Sequence, residues 1–281
     1  MIILNNDNLY VEIAELGAEI RRVKFCGKER FWNGDEKYWT GVAPVLFPVC
    51  GAFLDDKFTF EGKEYTLPKH GFTRESEFAV ESATDTSATL LLKDTPETFK
   101  NYPWHFEFRV TFTLEGNNIV VFYDVKNTSE NDMYYSAGAH EAYLCENGIE
   151  EYDIIFEQDE TLFNYELEGS ALLGTKTPIL KDSKVFPLYD KYFETDALVF
   201  KDVKSRFVTL RNRVTGEEVS VNFEGFDYFL LWHKYGAPYI CIEPWAGICS
   251  TKGDNIDITK KEGMIKLPSG KSKILKHTIY F

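Results

Sequence analysis

The chain has 281 residues, 44% of them hydrophobic and 16% aromatic, with 23 Phe and 16 Tyr. That supply of apolar surface excludes a disordered chain, and the aromatic excess suits pleated, half-buried surfaces better than helices. The formal net charge is -14, with Lys and Arg scattered among more numerous acids, so no basic stripe exists to serve a nucleic-acid partner.

The N-terminus, MIILNNDNLYVEI, lacks a basic leader region and a long apolar run, and no later segment approaches membrane-spanning length. The expectation is a soluble, cytoplasmic protein with no membrane partner. Period-two alternation then dominates. DKFTFEGKEYTL reads as a short hairpin around Gly62, and SEFAVESATDTSATLLLKD as two further strands. TPETFKNYP predicts a short helix, with Thr95 as N-cap and Pro96 at the first helical position. In WHFEFRVTFTLEGNNIVVFYDV, Trp104, Phe106, Phe108, Val110, Phe112 and Leu114 alternate with more polar residues up to Gly116-Asn117-Asn118, which predicts a long antiparallel hairpin. FVTLRNRVTGEEVSVNF and the closing KSKILKHTIYF add strands, and DITKKEG predicts a second short helix. No linker, low-complexity tract or internal repeat interrupts the pattern. The expected architecture is one all-β domain over residues 1–281, a large sandwich of antiparallel sheets.

The cysteines, Cys26, Cys50, Cys145, Cys241 and Cys249, are odd in number and lack CxxC spacing. They read as small buried hydrophobes in a reducing compartment, rather than as a disulfide framework or zinc site. Among the histidines, His105 and His277 fall on the polar phase of alternating strands and read as exposed sheet residues, while His233 marks the end of FDYFLLW. His70, in TLPKHGFTR, stands where Pro68 and Gly71 take the backbone out of a sheet. His140, in YYSAGAHEAYLCE, follows a glycine and small alanines that let the backbone bend or approach a ligand closely. Each of these two reads as either a hydrogen-bonded core histidine or a catalytic one.

In APYICIEPWAGICS, Glu243 ends an apolar strand. Desolvation there raises a carboxyl pKa toward the range of a general base, and Trp245 beside it offers a face on which a pyranose stacks. A plain strand-end glutamate in a surface turn is the alternative. Asp196, in YFETDALVF, reads as a turn residue or a hydroxyl acceptor. GxGxxG, P-loop, HExxH and GxSxG motifs are missing, which leaves nucleotide, zinc-protease and serine-hydrolase readings without support.

Taken in order, APVLFPVCG, FEGKEYTLPKHGFTR, SAGAHEAY, TDALVF, CIEPWAG and LPSGKSKILKHTIYF resemble the aldose 1-epimerase (galactose mutarotase-like) family, and within it the LacX-like branch. The resemblance spans nearly the whole chain, and HGFTR with GAH and CIEPW is a specific combination. It implies a super-sandwich of antiparallel sheets with an open sugar cleft and a small-molecule sugar as partner. By motif, Glu243 matches the general base on the anomeric hydroxyl, His140 the general acid on the ring oxygen, and His70 the histidine that binds and polarises that oxygen. Asp196 matches a sugar-hydroxyl acceptor, and Arg74 a contact to a hydroxyl or phosphate. Interconverting anomers by ring opening and reclosure needs one acid and one base, and no metal or other cofactor.

Two positions depart from the family pattern. Ala52 replaces an arginine that commonly follows FPVCG, removing a directional guanidinium contact. Glu141 replaces a proline after the GxH histidine and, if turned inward, would raise the His140 pKa. The readings that follow are an aldose 1-epimerase-like enzyme acting on a hexose, a sugar-6-phosphate 1-epimerase, and a non-catalytic carbohydrate-binding or sensing protein.

Overall fold

The structure is a computed structural model and describes residues 1–281. Every pairing between its extended strands is antiparallel. A nine-stranded sheet runs in the order 171–187, 152–168, 207–212, 218–222, 272–280, 118–127, 106–115, 87–93, 79–83. A smaller sheet runs in the order Leu198–Phe200, Tyr228–Trp232, Tyr239–Trp245, Gly138–Ala139, Val45–Leu46, with Glu141–Leu144 also pairing with Tyr239–Trp245. The all-β antiparallel architecture agrees with the alternation in the sequence. No helix is long and apolar enough to cross a membrane.

The predicted hairpin at residues 104–125 forms Phe106–Glu115 and Asn118–Asn127, closed through a left-handed Gly116 and with Glu115 opposite Asn118. Its inward residues are the alternate ones, Phe106, Phe108, Val110, Phe112 and Leu114, all buried. The hairpin around Gly62 forms Lys57–Phe60 and Lys63–Thr66. The helix Pro96–Asn101 starts as expected, with the Thr95 hydroxyl accepting from the Thr98 N–H. Aromatic stacking closes the core between the sheets: Phe47 lies 4.5 Å from Phe108, and Phe223 lies 5.1 Å from Phe229, ring centre to ring centre.

Two expectations need correction, and one hairpin lay outside the sequence reading. DITKKEG forms turns and not a helix, because its backbone is claimed elsewhere. Ile258 donates to the Thr59 carbonyl at 3.0 Å, and Asp257 spends its carboxylate on the Thr259 N–H and hydroxyl. The long hairpin Tyr152–Glu168 with Ala171–Pro187 has no clean alternation to reveal it, since four register shifts break its pairing and its second strand is largely exposed.

The second correction is His277, which is fully buried. The closing strand turns Leu275, His277 and Ile279 inward, and Ile274 is the exposed residue. An apolar residue on each side of the sheet made the phase ambiguous, and pairing of His277 with buried Val121 fixes it. From this position His277 Nε2 reaches Glu141 Oε1 at 2.7 Å, a buried polar tie between the two sheets.

Removing one partner of such a tie leaves the other desolvated and unpaired. We expect Glu141→Ala to cost roughly 2–5 kcal/mol of stability. The isosteric Glu141→Gln, which keeps a hydrogen bond, should cost clearly less. Urea unfolding midpoints measure both; equal, small losses would show that the tie contributes little.

Candidate active site

Strand register brings the first two groups together. Gly138 pairs with Trp245 and Glu141 with Ile242. The same register carried through the break between them sets His140 directly opposite Glu243. His140 Nε2 lies 3.4 Å from Glu243 Oε2. Period two along Tyr239–Trp245 puts Cys241, Glu243 and Trp245 on one face. Gly138 is required beside them, because a Cβ there would sit 2.8 Å from Trp245 Cδ1 and 2.9 Å from Cys50 Sγ.

His70 arrives from a loop. His70 and Gly71 are both left-handed, at φ 69° and 73°. That conformation is uncommon for a residue with a side chain and persists only where neighbours hold it. Gly51 holds His70 twice: its carbonyl accepts the His70 N–H at 2.7 Å, and its own N–H donates to His70 Nδ1 at 3.1 Å. Because Nδ1 accepts, the neutral ring carries its proton on Nε2 and is a donor there. Three residues on, buried Thr73 donates its hydroxyl to the Val45 carbonyl, tying HGFTR to the edge strand of the smaller sheet.

These groups line one cleft of about 230 Å³, together with Arg74, Asp196 and Trp245. All six residues singled out in the sequence therefore meet in one place. His70 lies 5.8 Å from His140 and 5.3 Å from Trp245, ring centre to ring centre. Arg74 spans the rim with one guanidinium nitrogen donating to the Lys69 carbonyl at 3.1 Å. Asp196 accepts from the Ala197 N–H at 2.8 Å through one oxygen. His233 and His277 lie outside the cleft lining. Glu141 is directed away from His140, across the core to His277, so the expected inward carboxylate is not there. Ala52 is buried, and its carbonyl is engaged by the Ser250 N–H at 2.9 Å.

Several lining residues were not singled out in the sequence. Trp39 lies over the His140 imidazole at 5.1 Å and Trp232 meets its edge at 5.6 Å. Lys69, inside TLPKHGFTR, lines the cleft as a second cation beside Arg74. Leu167, Gly169 and Ser170 come from the tip of the long hairpin, which Leu172 pins by bonding Ser250 and Lys252. The aromatic-rich FWNGDEKYW and the Gly-Ser at that tip were the available hints.

Burial dominates the electrostatics. It pushes Glu243 well above the usual carboxylate range, helped by Asp196 and Glu141 and opposed by Lys69 and the Trp245 indole. It also pulls His140 down to about 3, with Lys69 and Arg74 adding to the effect. His70 is held well below 6.5, first by burial and then by His140, Lys69 and Arg74. Burial thus drives both members of the His140–Glu243 pair toward their neutral forms.

Comparison with known proteins adds the decisive observation: the aldose 1-epimerase family model matches residues 1–272. The chain belongs to the aldose 1-epimerase family. It is an isomerase of LacX-like type. It is 33% identical to both the plasmid and the chromosomal protein LacX of Lactococcus lactis subsp. lactis, over 96% of each chain. A galactose mutarotase related enzyme from Lactobacillus acidophilus superposes with a TM-score of 0.94 at 31% identity, covering 99% of this chain and 96% of that one. A galactose mutarotase-like protein from Lactobacillus casei gives the same TM-score at 25% identity, covering 100% and 99%. The fold is shared with these structures nearly end to end.

The HGFTR turn is the most constrained part of this cleft. A Cβ on Gly71 would stand 2.2 Å from the Phe47 carbonyl oxygen, with φ already in the region that favours glycine. Gly71→Ala should therefore destabilise the fold by about 2 kcal/mol or more. Urea denaturation checks this, and an unchanged midpoint would mean that the turn relaxes freely.

Proposed function

We propose that this chain interconverts the α and β anomers of a free aldose bound in the cleft, with Glu243 as general base and His140 as general acid. The observation that carries this is the 3.4 Å approach of His140 Nε2 to Glu243 Oε2 across two paired strands. Glu243, as carboxylate, takes the proton from the anomeric hydroxyl while His140, as imidazolium, gives one to the ring oxygen. The C1–O5 bond breaks, the aldehyde rotates about C1–C2, and reclosure with the roles exchanged yields the other anomer.

One proton shared by the pair suffices for this chemistry. With that proton on the imidazole the two groups form an ion pair, and the Lys69 charge favours its carboxylate. His70 donates from Nε2 to the ring oxygen, polarising the bond that breaks. Asp196, with an oxygen to spare, accepts a sugar hydroxyl, and Arg74 donates to another at the rim. Trp245 packs against a C–H face of the pyranose. A soluble, cytoplasmic enzyme acting on a small sugar fits this chemistry, which asks for no cofactor.

Glu243→Gln and His140→Ala should each lower kcat/KM by about 10²–10⁴ with the fold retained, the range for loss of a general acid or base. NMR exchange between anomers of D-glucose and D-galactose measures it. Wild-type rates no faster than buffer across a panel of free aldoses would overturn the assignment. The pH profile has a stated sign. A second proton on the pair requires pH far below 6.5, since His140 is held at about 3. Activity should stay level as pH falls through 6.5 and decline only well below it. The alkaline limb follows loss of the shared proton and lies above the ordinary carboxylate range. An acid limb centred near 6.5 would mean that the acting imidazole is not desolvated.

A further inference from the structure

Anomer exchange uses His140 and Glu243 but leaves a third neighbour idle. Cys241 stands two residues before Glu243, so its thiol projects from the same face of the same strand. Its cross-strand partners are Ala142 on one side and Trp232 on the other, and the thiol is fully buried behind the cleft wall. One imidazole nitrogen of His140, Cys241 Sγ and a Glu243 carboxylate oxygen all lie within 4.8 Å of one another. Glu243 is 1% exposed, and its Oε2, the oxygen nearest the imidazole, has no hydrogen-bond partner.

These separations resemble those of ligands around a shared ion. A tetrahedral zinc bonded to N and O at about 2.0–2.1 Å holds those atoms about 3.3 Å apart, against the 3.4 Å found here. With a Zn–S bond of about 2.3 Å the sulfur belongs about 3.6 Å from each, an adjustment on the order of 1 Å. Imidazole, thiolate and carboxylate form a borderline-soft set that suits Zn²⁺ and its neighbours and not Mg²⁺ or Ca²⁺. Thiolate and carboxylate together cancel the charge of a divalent ion, so the filled site adds no net charge to a buried place.

We propose that His140, Cys241 and Glu243 bind Zn²⁺, or a divalent transition metal like it, with the fourth coordination position open to the cleft. The ion is an inhibitor and not a cofactor: it occupies the nitrogen and oxygen that exchange protons with the sugar. Metal binding and sugar turnover are then mutually exclusive. The inhibitory consequence rests on the roles given to His140 and Glu243 above, whereas binding of the ion does not.

Titrating chelator-treated, full-length protein with Co²⁺ tests the binding. The expected result is one tetrahedral cobalt per chain, with its visible ligand-field bands and a near-ultraviolet thiolate-to-cobalt charge-transfer band. Cys26 is the exposed cysteine, so the band must persist in Cys26→Ser and vanish in Cys241→Ser, or in Cys241→Ala should the serine variant fold poorly. Zn²⁺ displacing the cobalt should bind at least about 10-fold more weakly to either Cys241 variant, the minimum loss seen even for outer-shell changes at metal sites. Zn²⁺ should inhibit anomer exchange competitively with sugar, each protein being scored against its own metal-free rate, and chelator should restore it. Absence of the charge-transfer band in wild type, its survival in both Cys241 variants, or its loss in Cys26→Ser overturns the metal site. A wild-type protein that binds cobalt but shows no metal-free exchange would leave the site standing and overturn the catalytic reading instead.

Discussion

The cross-strand pairing of Glu243 with His140 is the constraint on which the rest of the site depends. Two backbone segments about a hundred residues apart in sequence meet in antiparallel register, and that register fixes which side chains face each other. A slip of one residue would turn Glu243 toward the opposite face and bring Ile242 or Pro244 to the imidazole. Hydrogen bonding on both flanks of the break prevents the slip. The facing of these two side chains is thus specified by sheet geometry, and the surrounding aromatic rings only seal it.

Burial gives the couple its chemistry. In water, a carboxyl and an imidazole at neutral pH hold their proton on the imidazole, if anywhere. Here desolvation reverses that preference, raising the carboxyl and lowering the imidazole, because both charged forms lose hydration. The neutral pair and the ion pair differ only in where one proton sits, and burial favours the neutral pair. The nearby cations Lys69 and Arg74 disfavour imidazolium in the empty cleft, and Lys69 favours the carboxylate. Anomer exchange in both directions asks a group to donate a proton one way and accept it the other.

His70 belongs to the same logic by a different route. No strand delivers it, so its position is maintained by a left-handed turn and by Gly51 gripping both its backbone and its ring. The grip also decides the tautomer. Strain at this turn is offset by Thr73 and by the Gly71 bridge to Phe47, which anchor the loop to the sheet that carries the other two groups.

The alternation of Phe106 through Leu114, the Gly62 and Gly116 turns and the Thr95 cap each reflect local stereochemistry, and each was legible in the chain alone. His70, His140, Asp196, Glu243 and Trp245 stood out as candidates at Pro- and Gly-marked breaks and strand ends, while Arg74 and the roles of the group came from the family resemblance. Where local pattern is ambiguous the chain is silent or misleading. KSKILKHTIYF alternates equally well in either phase, and only pairing with Val121 turned His277 inward. DITKKEG has helical composition, but its hydrogen bonds are spent on the Thr59 strand and on Asp257. The Trp39 and Trp232 walls, the hairpin tip at Gly169, the Glu141–His277 tie and the Cys241 thiol beside Glu243 all arise between segments far apart in sequence. Strand identity and candidate chemistry follow from neighbours along the backbone, whereas register, facing and burial come from partners that the chain meets only when folded.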